Sequence, residues 1–340
     1  MRMCINSCCP EPSHPDNATA KFCVSCGTSL LLENTYVVQK LLSDDSGFGR
    51  IYEVVALPES PPKILKVLRP DFNNDTKVVE LFQQEMYILG QLNHPGIPKV
   101  ELYFHHELRD RTLLHGIIME KIDGQNLEEW LKEHRDRPLG EADARQWLRQ
   151  VVEALEVLHG QKFFHRDIKP ANIMRRTDGS LVLIDFGTVR EASHTYLAKI
   201  GSVQGVTCIT SAGYTPQEQS RGFAVPQSDF YALGMTFIHL VTGCYPLDLS
   251  DREQNRVVWR AHAPQISDAF ADLLDHLTAE KPRDRPLNCG EILQQLQPPP
   301  PRLKPLWLGA IALGLLLIGV GGGFWAGTRT STPPSPSRSR

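Results

Sequence analysis

The chain has 340 residues, 41% of them hydrophobic and 22% charged, which allows one large or two ordinary domains and excludes a disordered protein. A formal charge of −3 lacks the basic excess of a nucleic-acid binder, so no nucleic acid is expected among its partners.

Five of the eight cysteines (Cys4, Cys8, Cys9, Cys23, Cys26) crowd the first 26 residues, and no signal-like pattern accompanies them, so metal is expected before disulfides. Cys23-x-x-Cys26-Gly27 is a compact thiolate knuckle, and Cys4 with either Cys8 or Cys9 would complete a tetrahedral four-cysteine zinc site. A redox role for the Cys-x-x-Cys pair would need a thioredoxin-like βαβ unit, which the flanking sequence does not pattern.

Past this stretch, "YVVQKLL", "IYEVVAL" and "KILKVL" are predicted as three short strands with turns between them. Val78, Val79, Phe82, Met86, Leu89 and Leu92 recur at helical spacing, and further strands follow around Val100–Phe104 and Thr112–Met119. Beyond Asn126 the pattern turns helical. Ala144, Trp147, Leu148, Val151, Val152, Leu155 and Leu158 share one face of a long helix, and "SDFYALGMTFIHLVTG" is apolar nearly all round, as a buried helix is. Strands first and helices after give an α+β fold of two lobes, a small β-rich one and a larger helical one, with a cleft between them.

The C-terminal part is of another kind. "QPPPPRLKP" is a stiff spacer of the polyproline type. Residues 306–327 hold no charge, and a helix of that length spans about 30 Å of hydrocarbon. Trp307 and Trp325 sit near its ends, where interfacial aromatics are favoured. The flanking arginines and lysine barely choose an orientation. The expected organisation is a cysteine-rich module over 1–30, a globular domain over 36–297, a proline-rich linker over 298–305, one transmembrane helix over 306–327 and a polar tail over 328–340.

Chemistry concentrates in "FFHRDIKPANIM" and "LVLIDFGTVR". With His165-Arg166-Asp167, Lys169, Asn172 and Asp185-Phe186-Gly187 in this order, the chain resembles the protein-kinase superfamily. The resemblance covers about 260 residues and implies ATP with Mg²⁺ or Mn²⁺ as cofactors and protein substrates. It implies that Asp167 orients the attacking hydroxyl and takes its proton, and that Asn172 and Asp185 ligate magnesium. Lys169 would balance charge on the γ-phosphate, and a lysine there resembles the serine/threonine branch. Lys66 falls where the family's strand lysine reaches the α- and β-phosphates, and Glu85 where the helix glutamate pairs with it. Met119 stands at the gatekeeper position, with Glu120 to Ile122 offering backbone groups to adenine. Asp229 matches the buried aspartate that tethers the catalytic loop, Glu218 and Arg285 match a structural ion pair, and Ser211 replaces a threonine that positions Asp167 and Lys169. Cys4-x4-Cys9-Pro10 resembles the cysteine-rich module of a cyanobacterial kinase group, which favours Cys9 over Cys8 beside Cys4, Cys23 and Cys26.

One segment departs from the pattern. "LLSDDSGFGRIY" places Asp44 and Ser46 at the first two glycine positions of the phosphate loop and keeps Gly47, Phe48 and Gly49. Ser46, Gly47, Phe48 and Gly49 are still expected at the phosphates. Asp44 and Asp45 would weaken ATP binding unless they point to solvent. The expectation is a single-pass protein of the cell membrane with a cytoplasmic serine/threonine kinase domain, self-association serving autophosphorylation. The alternative is a pseudokinase scaffold, favoured by the altered loop and opposed by the intact Lys66, Glu85, Asp167, Asn172 and Asp185.

Overall fold

The structure is a computed structural model that describes residues 2–46, 49–58, 60–109, 111–134, 137–191, 211–251 and 256–297. The linker, the expected membrane helix over 306–327 and the tail lie outside the described residues, as do Gly47 and Phe48. Among the described residues no helix is long and apolar enough to cross a membrane.

The small lobe is one antiparallel sheet, whose central strands carry runs of buried residues and whose β2 mixes buried with partly exposed ones. Strands β1 (Tyr36–Ser46), β2 (Gly49–Ala56), β3 (Lys63–Leu68), β4 (Val100–Glu107) and β5 (Leu113–Glu120) lie in the order β1-β2-β3-β5-β4. In register, Ile51 faces Lys66 and Lys66 faces Ile117, while Ile64 faces Met119. The two-residue period puts Gly49 and Ile51 of β2, with Ile64 and Lys66 of β3, onto one face, which is the roof of the cleft. Helix α1 (Thr76–Gln91) starts where the Asp75 side chain accepts from the amides of Lys77 and Val78, and it buries Val78, Phe82 and Glu85 beneath the sheet.

The strand β6 (Gly124–Asn126) leads into α2 (Leu127–Glu133), whose start is fixed by a reciprocal Asn126–Glu129 capping box. Helix α3 (Glu141–Gly160) supplies the inward face anticipated from its spacing. The chain continues as β7 (Phe163–Phe164), a loop, β8 (Ile173–Arg176) and β9 (Leu181–Leu183). After a short turn of helix, α4 (Gln217–Ser220), comes α5 (Pro226–Thr242). Thirteen of its residues are buried, and Gly243 ends it at φ +68°, a conformation that favours glycine. Helices α6 (Asp268–Leu277) and α7 (Cys289–Gln295) close the large lobe. Leu148, Val152, Leu155, Phe230, Leu233, Phe237, Phe270 and Leu274 are fully enclosed in its core.

The cysteine-rich stretch is built into the small lobe. Ile5 joins Tyr36, Val38, Tyr52, Phe104, Leu108 and Leu114 in that lobe's core, and the Met3 amide donates to the Val38 carbonyl at 2.8 Å. Residues 1–296 accordingly form one compact unit.

Candidate active site

A cavity of about 910 Å³ opens between roof and floor. Leu42, Gly49, Ile51 and Ile64 line it from the sheet, Met119 to Ile122 from the crossing strand, and Met174 and Ile184 from below. A Cβ on Gly49 would meet the Val67 carbonyl at 3.1 Å and Lys66 Cγ at 3.4 Å, so this residue must stay small where the roof descends towards the lysine. Glu120 spends its amide on the Lys99 carbonyl at 2.8 Å, and its carboxylate receives Arg176 at 2.8 Å, which fixes this edge of the cavity.

At the inner end Lys66 Nζ donates to both Glu85 oxygens at 2.8 Å and to Asp185 Oδ1 at 3.0 Å. Burial by itself would lower the Lys66 pKa, but Asp185 and Glu85 outweigh it and push it up. Two carboxylates thus share one ammonium, and their environments part them. Burial raises Glu85, which is 3% exposed, whereas for Asp185 the opposing effect of burial is overcome by Lys66 and its pKa is held down. Both carboxylates pair with the ammonium, but Asp185, at φ +64° and with its side chain 39% exposed, is the one more open to the cavity.

On the floor every feature converges on Asp167. Its Oδ1 accepts from Ser211 Oγ at 2.6 Å, and its Oδ2 from Lys169 Nζ at 2.9 Å and Asn172 Nδ2 at 2.8 Å. Asn172 Nδ2 also donates to the Asp167 carbonyl at 2.8 Å. The amide nitrogen is committed in this way, which leaves Asn172 Oδ1 as the atom to offer a cation beside Asp185. The chemistry fits a hard divalent ion: one carboxylate whose pKa is held down and one amide oxygen, on the same cavity wall.

The loop bearing Asp167 is suspended from Asp229. That carboxylate, fully buried at the start of α5, accepts from the amides of His165 at 2.9 Å and Arg166 at 2.7 Å, and contacts His159 Nε2 at 2.8 Å. Burial would raise its pKa, but His159, His165 and the Arg166 amide hold it down. Arg285 donates to Glu218 at 2.7 Å, and Ser228 Oγ donates to the same Glu218 oxygen at 2.8 Å.

The structure thus brings together Lys66, Glu85, Met119, Glu120, Ile122, Asp167, Lys169, Asn172, Asp185 and Gly49 around one cavity. Ser46 closes the β1–β2 hairpin, opposite Gly49 in register. Asp44 does not line the cavity; its carboxylate receives Arg50 Nε at 2.5 Å on the exposed side of the hairpin, so its charge is offset by Arg50 instead of facing the cavity. Sequence reasoning missed the apolar walls Ile51, Ile64 and Met174, although their alternation with Lys66 and their distance from Asn172 could have pointed to them. It also missed His159 and Gln219, whose Nε2 donates to the Arg166 carbonyl at 2.6 Å.

Residues 45–296 match the family described as protein kinase domain. The chain belongs to that family. It is 34% identical over 310 residues to serine/threonine-protein kinase B of Synechocystis sp., covering 88% of this chain and 52% of that protein. It is 36% identical over 276 residues to serine/threonine-protein kinase PknA of Nostoc sp., covering 78% of this chain and 48% of that one. The chain therefore spans about half the length of these relatives. Among solved structures, the PknI kinase domain of Mycobacterium tuberculosis superposes with a TM-score of 0.60 at 25% identity, over 81% of this chain and 98% of that one.

Apart from the cleft of this kinase domain stands the sulfur cluster. The Sγ atoms of Cys4, Cys9, Cys23 and Cys26 all lie within 4.8 Å of one another, with Cys4–Cys26 at 3.5 Å and Cys9–Cys23 at 3.6 Å. Sulfurs each about 2.3 Å from a tetrahedral zinc would stand about 3.8 Å apart, so the set fits that ion. Cys8 is exposed and outside the cluster. Gly27 turns the knuckle at φ +74°, and Asn17 Nδ2 approaches Cys23 Sγ at 3.7 Å, as a ligand-orienting group does.

Proposed function

We propose that this chain is a serine/threonine protein kinase that transfers the γ-phosphate of ATP to protein hydroxyls. The observation that carries this reading is the convergence on one cavity of Lys66 with its two carboxylates and of Asp167 with its three side-chain donors. Adenine would lie among Ile64, Met119 and Met174, against the backbone of Glu120 to Ile122. Lys66 would hold the α- and β-phosphates, its orientation maintained by Glu85. Asp167 would accept the proton of the incoming hydroxyl, and Lys169, hydrogen-bonded to it, would neutralise charge at the γ-phosphate. Asn172 and Asp185 would hold Mg²⁺ or Mn²⁺, which supplies charge neutralisation at the phosphates. Asp167→Asn keeps the shape and removes the base, so phosphate transfer from Mg-ATP to a general protein acceptor should fall by roughly 10²–10⁴-fold. Transfer equal to that of the unmodified protein would overturn the assignment.

The sulfur cluster is proposed to hold a structural Zn²⁺ through Cys4, Cys9, Cys23 and Cys26. Metal analysis should find about one zinc per chain, lost in Cys9→Ser and retained in Cys8→Ser; the reverse pattern would move the ligand to Cys8. Residues 306–327 are proposed to anchor the protein in the cell membrane with the kinase domain on the cytoplasmic, ATP-containing side. Fractionation of the full chain beside one ending at residue 297 tests the anchor.

A further inference from the structure

A second cavity, of about 370 Å³, adjoins the first on the side of Lys169 and Ser211. Both of these residues hydrogen-bond Asp167, so a hydroxyl that reaches Asp167 brings its own chain past this opening. Ala212, Tyr214 and Tyr245 form its far wall, and the wall is braced: Tyr245 Oη donates to the Ala212 carbonyl at 2.9 Å, and Tyr214 Oη meets His239 Nδ1 at 2.6 Å. Burial pushes the His239 imidazole down to about 4, so near neutral pH this wall carries no positive charge.

Glu128, in the first turn of α2, lines both cavities. Among the described residues that line the second cavity only Lys169 and Glu128 are charged, and Lys169 is spent on Asp167 and Ser211, which leaves the Glu128 carboxylate open to a ligand there. Its own ion pair is with Lys132, one turn along α2, at 3.7 Å, and both side chains are more than half exposed. Such an exposed pair is worth about 0–1 kcal/mol and yields readily to a better partner. A guanidinium, which can bind a carboxylate through two parallel N–H donors, is that partner.

We propose that this second cavity receives the acceptor segment of the protein substrate, and that Glu128 selects a basic side chain, arginine above all, close to the acceptor serine or threonine. The inference rests on the kinase reading and adds to it a substrate class.

The test uses the full chain and a peptide library with serine or threonine fixed at the centre. Arginine, alanine or glutamate is placed in turn at each of the four positions on either side. The readout is the ratio of kcat/KM for the arginine and glutamate peptides within each protein, so a general change in activity cancels. The unmodified protein should favour arginine at one or more positions by about tenfold, equivalent to about 1.4 kcal/mol. Glu128→Gln should reduce the ratio to about twofold or less, Glu128→Lys should invert it, and Lys132→Ala, which removes the competing ammonium, should increase it. A ratio near one in the unmodified protein, or an arginine preference that persists unchanged in Glu128→Gln, overturns the proposal and leaves the kinase reading standing. No transfer to any peptide or protein acceptor would take down both.

Discussion

On the floor of the nucleotide cavity Asp167 accepts three side-chain hydrogen bonds, and Asp229 holds the backbone around it from full burial. On the roof Asp44 and Arg50 pair at the surface, and the β1–β2 register slips at three places along the hairpin. The floor works through side chains, each with a fixed partner, and there the one departure from the family pattern, Ser211 for a threonine, keeps the hydroxyl that donates to Asp167. The roof keeps the close approach of Gly49 to the Val67 carbonyl, and there two glycine positions have changed. On the kinase reading proposed above, departure is tolerated where main-chain groups would do the binding. It would not be where one particular carboxylate is to do the chemistry.

That contrast can be broken most severely from below. Asp229→Ala removes the acceptor of two buried amides and the partner of His159, so stability should fall by about 3–5 kcal/mol, read by denaturant unfolding. A loss under 1 kcal/mol would mean that the floor is not suspended from this group. Acid should act in the same direction with less force. Burial depresses the pKa of His239 from its ordinary 6.5 to about 4 in the folded chain, so its contribution is complete above pH 6.5 and is lost as the pH falls towards 4. The expected loss is on the order of 2 kcal/mol, since the ring is partly exposed, and a His239→Asn variant should lose stability less steeply over that window.

The smallest effect belongs to the roof. With Arg50 on Asp44, the double change Asp44→Gly and Ser46→Gly should lower the KM for ATP by no more than about threefold. A tenfold drop would show that the carboxylate does repel the phosphates, and the contrast between roof and floor would need redrawing.

How much of this was legible in the sequence follows the same division. Asp167, Lys169, Asn172 and Asp185 could be read because the family motif fixes both their identity and their spacing, and the Lys66–Glu85 pair because helical phase adds to that constraint. The lobes were legible from the change of hydrophobic period after Asn126. Ile51, Ile64 and Met174 were not, since many apolar residues could form the same walls and leave no chemical mark. Gln219 and His159 act by hydrogen bonds to groups far along the chain, for which local sequence has no sign. Asp44 was read from its charge alone, because its partner six residues on becomes a neighbour only when the hairpin closes.

Ile5 was equally invisible, a single apolar residue among cysteines with no period around it. Its burial sets a boundary for anyone handling this protein. A chain cut at Tyr36, where the strand pattern begins, would leave Tyr36, Val38, Phe104, Leu108 and Leu114 around an open greasy socket. Such a fragment should expose apolar surface and self-associate. During synthesis the wait runs the other way: Ile5 leaves the ribosome well before Leu114 exists, and a helper that shields the early cysteine segment until the sheet is complete would spare it from sticking elsewhere.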